Sequence, residues 1–376
     1  MATFEVWLAD DGGNKLENLN QFESLEYVIA PGQVGWFSLT LDYDSDLLAM
    51  DNTKVDRQIH IWRTPEGGSK ALEAVYFCQR WRFFSSQGQT KVTLSGGGLC
   101  DILARRIVAY YAGSTGATIS ATEADDAMKD LVNGALGTAS NTDYDRETIS
   151  GRDITSLGFS IQADATAGPP IDRGVAWRPL LATLQDIQEQ ARQEDEEVFF
   201  DVVPLTTSPL TFEFRTYLNQ PGSDRTSGTA NALRFGTEWG NVDNPVLTYD
   251  YSNLENFIYI GGSNREDSRI IEEVSDSTSI ALSQFNRREG FLAHTSSDVT
   301  GILQAAGYAQ LSERRLQTTF TAEIQDTPDA PYGGNGWKAG DKVTISYLGK
   351  NFDAVIRKVR IYKSHDTETI AGSVEL

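Results

Sequence analysis

The sequence predicts a β-rich α+β fold, with a compact β-module at each end of the chain and mixed α/β segments between them. Three observations carry this. The first hundred residues are short apolar–polar alternations separated by turn signals, the same pattern returns from about Thr318 to the end, and helical periodicity is confined to a few segments between. With 376 residues and 40% hydrophobic content, the chain has apolar material for two or three domains.

In GWFSLTLDY, Phe37, Leu39, Leu41 and Tyr43 alternate with Trp36, Ser38, Thr40 and Asp42, the period of a strand with one buried face. Comparable runs are TFEVWLA, SLEYVIA, RQIHIWR, AVYFCQRWRFF and TKVTLSG. Turn signals divide them at Asp10–Asn14, Pro31–Gln33, Pro65–Gly68 and Ser85–Gln89. Six strands so spaced predict a barrel or a sandwich. Next, Gly96, Gly97 and Gly98 stand where a strand ends and a helix begins, since Leu99, Ile102, Leu103, Ile107 and Val108 recur at helical spacing.

From Ala112 to Gly174 pattern is weak, apart from a helix over TEADDAMKDLVNGAL with Thr122 as N-cap and Asp125 three residues on. The strongest helix is Trp177–Gln193, where Leu180, Leu181, Leu184, Ile187 and Ala191 form one stripe. It runs into Glu194–Glu197 and then the strands VFFDVVP and LTFEFRTY, a strand pair packed by a helix. The last third reads as strands PVLTYDY, ENFIYIGG and SRIIEEVS and a helix around Asp298–Gln317. It closes with the strands TTFTAEIQ, KVTISYLG, AVIRKVRIYK and TIAGSVEL.

The balance of 53 acidic against 32 basic residues, a net charge of -21, opposes adhesion to duplex DNA or an anionic membrane. It suits a conduit through which nucleic acid slides without sticking. Cys78 and Cys100 each lie in apolar segments and are read as small buried residues, with neither a disulfide framework nor a metal cluster implied. No window approaches the roughly 20 apolar residues of a membrane helix. The N-terminus has no basic region followed by an apolar core. A soluble protein made in the cytoplasm, without its own export signal, is expected.

A P-loop needs Lys followed by Ser or Thr at its helix start, where Leu99 and Cys100 stand, and the preceding strands look hairpin-connected. The three glycines are therefore read as a structural joint. Asp42, Asp44 and Asp46 form D-x-D-x-D, a calcium candidate weakened by Leu47 and Thr53 where an EF-hand requires Gly and Glu. Asn141, Asp143 and Asp145 echo it. Glu194–Glu197 lies at the helix end that the dipole makes unfavourable for anions, and is either an interaction surface or a solvated turn. His60, His294 and His365 are isolated, and neither G-x-S-x-G nor H-E-x-x-H is present. Trp7, Trp36, Trp62 and Trp81 serve packing, or alternatively a sugar-stacking platform. No catalytic residues and no cofactor are expected; an acidic glycosidase is the least favoured reading.

The order WFSLTLDYDSDLLAM, VDRQIHIWR, AVYFCQRWRFF, KVTLSGGGLCDILARRIVAY resembles the N-terminal region of bacteriophage tail hub proteins, both the siphophage baseplate hub and the hub of contractile tails. Leu39–Leu41, Arg63, Gly96–Gly98 and Arg105 with Arg106 hold the family's pattern positions. GWKAGDKVTISYLGKNFDAVIRKVRIYK looks like the family's closing β-module, with Gly340 and Asp341 at its characteristic turn.

The resemblance implies two tube-like antiparallel β-barrel modules. Residues 1–112 would form the first with its following helix, 113–245 a middle α+β region, and 246–376 the second barrel with helices, completed by strands around 196–215. It further implies a homotrimer joining tail tube to tip or baseplate and surrounding the DNA channel. Its neighbours would be tail tube, distal tail, tip or fibre proteins and the tape measure protein. DNA would be met only in passage, and the location would be the virion tail tip after synthesis in the host cytoplasm. Because the sequence ends at Leu376, just after the closing module, lytic activity would fall to another polypeptide. The alternative is a carbohydrate- or receptor-binding tail module.

Overall fold

The computed structural model describes residues 2–43, 53–86, 88–109, 117–141, 152–175, 177–194, 196–264, 268–294 and 298–376. Residues 1–245 together with 321–376 form one compact unit, and 246–320 form a second.

The N-terminal alternation folds as read. Strands β1 (Thr3–Ala9), β2 (Lys15–Asn18), β3 (Phe22–Ile29), β4 (Trp36–Asp42), β5 (Arg57–Thr64), β6 (Ala71–Ser86) and β7 (Gln89–Gly98) lie in the order β2-β1-β5-β6-β7-β4-β3, each pair antiparallel. Phe37, Leu39 and Leu41 point to the core, while Trp36 and Asp42 face water. β2, with the sequence KLEN, is too short and polar to show a period.

The helix expected after the glycines is a correction. Only Asp101–Ala104 is helical (α1), and Ile107 is 44% exposed. The backbone finds better partners in a neighbouring segment. Val108 N–H donates to Arg178 O at 2.9 Å and Leu180 N–H to Arg106 O at 2.9 Å, which holds Arg106–Val108 extended.

In the middle region follow β8 (Ala117–Glu123), α2 (Ala124–Leu136), β9 (Phe159–Ile161), β10 (Pro170–Val175), α3 (Leu180–Gln193), β11 (Val198–Thr207) and β12 (Leu210–Leu218). Thr122 is not the N-cap of α2; it is paired in β8 against Ile171. The first helical N–H groups are satisfied instead by backbone, Ala124 by Pro169 O at 3.0 Å and Asp125 by Ala167 O at 3.2 Å. The stripe of α3 is buried as expected: Leu180, Leu184, Ile187 and Ala191 pack with Met128, Leu131 and Val132 of α2 and with Phe200, Phe212 and Phe214. Burying each large side chain of this kind is worth about 1.5–3 kcal/mol. β11 pairs with β12 and β12 with β9, not with the C-terminal strands.

β13 (Asp224–Arg225) and β14 (Arg234–Gly236) precede β15 (Val242–Asp250), along which the chain leaves the first unit. The second unit holds β16 (Phe257–Gly261), β17 (Ile271–Ser275), α4 (Ser277–Ile280), β18 (Glu289–Ala293) and α5 (Thr300–Glu313). Its sheet order is β17-β16-β18, with Ile258, Ile260, Val274 and Leu303 as core. The chain returns along β19 (Gln317–Gln325) to β20 (Lys342–Tyr347), β21 (Lys350–Ser364) and β22 (Glu368–Glu375).

The two terminal modules are one sheet of 14 strands. β21 causes this. Its first residues, Lys350–Val355, pair with β20, while Val359–Ser364 run on past that strand and pair with β3. β22 follows it across a bulge between Ile356 and Lys358. β13 and β14 add parallel partners to β20. Among the described residues no ladder closes this sheet into a barrel.

Candidate functional site

β5 and β22 are separated in the sheet by β6, β7, β4, β3 and β21, yet their side chains meet. Arg63 of β5, 3% exposed, donates to Glu368 of β22 from Nε at 3.1 Å and from Nη2 at 2.9 Å. The second oxygen of Glu368 accepts from Ala2 N–H at 3.1 Å. Tyr332 stacks on the Arg63 guanidinium at 5.0 Å and donates its hydroxyl to Glu73 of β6 at 2.5 Å. Burial pushes the Glu73 carboxyl up, against the opposing pull of Tyr332 and Arg63. The sheet is thus curled and held by side chains where the ladders do not close it. A cavity of about 860 Å³ lies beside this clasp, lined by Arg63, Glu73, Tyr332 and Lys338 among others.

A second clasp sits at the closing turn. Gly340 has φ +86°, a left-handed conformation that L side chains rarely adopt, and Pro221 lies 2.9 Å from where its Cβ would be. The turn it permits buries Asp341, which accepts from Arg225 Nε at 2.7 Å, Ser223 N–H at 2.7 Å and Lys338 N–H at 3.0 Å. That fixes β13 to the edge of β20.

Arg105 reaches Asp56 at 2.8 Å and Asp101 at 2.5 Å and lies over Phe77, whereas Arg106 faces neither acid. The three glycines end β7: Gly96 lies between Phe37 and Cys78, Gly97 between Trp36 and Phe77, and Gly98 beside Tyr76. A Cβ on Gly96 would stand 1.8 Å from Phe77 O. The glycine there is a condition for strand contact. Asp42 is exposed at the end of β4 opposite Lys91; Asp44 and Asp46, like Asp143 and Asp145, lie outside the described residues. Among the described residues no group of His, Cys, Asp or Glu is arranged to hold a metal ion.

His60 is buried, hydrogen-bonds Gln58 at 2.8 Å, and is pushed down to about 4 by burial, so it is neutral at neutral pH. Burial pushes the Cys78 thiol up to about 12. Cys100 donates to Asp201 at 3.2 Å and is likewise held protonated by burial, while burial raises Asp201 to about 6. None of these four is an activated nucleophile. Lys15 sits 4.3 Å above the Trp7 ring, and Lys70 lies 5.3 Å from the Trp62 ring, so cations cover these indoles. No described helix is long and apolar enough to cross a membrane.

The sequence points to Arg63 and Asp341 but not to what they bind. Glu368 lies 305 positions from Arg63 and Arg225 116 from Asp341, beyond any local pattern.

The family model for the Siphovirus ReqiPepy6 Gp37-like protein matches residues 3–372. The chain belongs to that family. The match extends the resemblance found at both ends through the middle of the chain. A search of curated proteins finds no match. Among solved structures, the chain is similar to the tail protein from Neisseria meningitidis MC58, at 14% identity and a TM-score of 0.55, over all of this chain and 97% of that one. It is also similar to the 43 kDa tail protein of prophage MuSo2 from Shewanella oneidensis, at 10% identity and a TM-score of 0.56, over 100% and 98% of the two chains. The fold is that of phage tail proteins.

Proposed function

We propose that this siphophage family member is a structural tail component, a homotrimeric hub that joins the tail tube to the tip and surrounds the DNA channel. The observation that carries the reading is the family match over nearly the whole chain, joined to a tail-protein fold aligned end to end. Its two terminal β-modules act as tube-type subunits, each completed by side-chain clasps, so that three chains supply six of them. Within the middle region, 113–245, helices α2 and α3 share a core with Val75 and Phe77 of the first module. End strands such as β2 offer unpaired backbone for contact between copies. The net charge of -21 disfavours DNA adhesion inside a lumen. Neighbours along the tail are tube, tape measure and tip proteins.

Mass spectrometry of purified virions, with gold-labelled antibody against the chain, tests this. The expected result is a structural virion protein with label confined to the end of the tail distal to the head. Absence from virions, or label on the head, would overturn the reading.

A further inference from the structure

The cavity beside the Arg63–Glu368 clasp has two fixed walls. One is the turn between β5 and β6, closed by Gly68 N–H donating to Pro65 O at 2.9 Å. The other is the 331–339 loop, which the buried Trp337 anchors. Its Nε1 donates to Ala330 O at 2.9 Å, its backbone N–H to Pro331 O at 3.0 Å, and its carbonyl accepts from Gly333 N–H at 2.9 Å. The space of about 860 Å³ is therefore preformed, as ligand sites usually are. Ile29, Leu72, Leu233 and Pro331 give it apolar sides.

Four charged side chains line the cavity, and they are not equivalent. Arg63 is committed to Glu368 at 2.9 Å. Glu66 lies on the exposed turn and has a partner of its own. Lys338 is exposed and acts on Glu73 only as a charge at a distance. Glu73 differs from all three. One oxygen accepts from the Tyr332 hydroxyl at 2.5 Å, while Oε2 accepts from no described residue and is not sealed off from the cavity that the side chain lines. Burial raises this carboxyl, and Tyr332, Arg63 and Lys338 offset that only in part. A carboxylate so placed lacks a cation in contact with it, which is costly inside a protein.

We propose that the cavity binds a primary ammonium group on an apolar stem, the ammonium donating to Glu73 Oε2 and the stem lying against Leu72 and Leu233. An ammonium supplies the missing counter-charge and several donors in one group. The Tyr332 hydroxyl oxygen is a second acceptor beside the carboxylate. An anion is repelled by Glu73, and a sugar ring brings more hydroxyls than these apolar sides can pair. A free alkylamine and a lysine side chain of another tail protein carry the same chemistry. The site lies within one chain, so it stands or falls separately from how copies assemble.

Isothermal titration calorimetry of the full chain at neutral pH tests this with n-butylammonium, with Nα-acetyl-lysine N-methylamide and, as the uncharged control, with n-butanol. The expected result is saturable binding of an ammonium probe with a Kd of about millimolar, and none of n-butanol. Glu73→Gln should weaken binding about tenfold or more. Lys338→Gln, at an exposed position, should strengthen it about twofold or more by removing a like charge. Thermal melting checks that each variant is folded. Binding of the lysine derivative assigns the cavity to a side chain presented by a protein partner, and binding of n-butylammonium alone assigns it to a small solute. No saturable heat from either ammonium, equal binding of n-butanol, or unchanged affinity in both variants would overturn the site.

Discussion

Arg63 and Glu368 are withdrawn from water together, and each is tolerable only because of the other. Glu368→Gln leaves the guanidinium buried without its counter-charge, and a loss of roughly 3–5 kcal/mol is expected in urea unfolding. Replacing both, Arg63→Met with Glu368→Leu, should recover most of that loss, because the cost comes from the orphaned charge. Asp201 behaves oppositely. Its folded value of about 6 lies above the usual 3.8, so the folded state binds more protons and stability falls as pH rises from about 4 through 6. Asp201→Asn keeps an acceptor for Cys100 and should raise stability at pH 7.5 by on the order of 2 kcal/mol, with little effect at pH 4. Melting curves at the two pH values check this, and equal effects at both would contradict it.

At the scale of elements, the strands were legible because one face of each is buried, as Phe37, Leu39 and Leu41 demonstrate. The helix stripe of α3 was legible for the same reason. What misled was Leu99–Val108, whose apolar spacing fits a helix but whose ladder bonds to Arg178 and Leu180 lie some 70 residues away in sequence. The joining of the terminal modules was equally hidden, since nothing in β3 names β21 as its partner. β21 makes a specific demand. Ile361 pairs with Tyr27 on one side and Ile370 on the other, so Ile361→Pro should cost about 3 kcal/mol or more. Hydrogen exchange should then show β3 and β22 losing protection together; loss in β22 alone would contradict the single-sheet description. In the second unit, Asn256 holds the 276–288 loop by accepting from Arg288 N–H at 2.8 Å and donating to Asn286 O at 2.5 Å. Asn256→Ala should expose that loop to protease while leaving exchange in the first unit unchanged, and uniform loss would argue against a locally held loop.

For the whole molecule, clasps and charge belong to one account. A sheet curled by Arg63–Glu368 and edged by Arg225–Asp341 is a stiff subunit with end strands such as β2 at its margins. Such a subunit is suited to closed assembly, and a net charge of -21 per chain is suited to a passage for DNA. The most direct measurement is negative-stain electron microscopy of the purified protein at high concentration. Class averages with a three-fold ring around a central hole are the predicted result, and compact monomers at every concentration would contradict the hub.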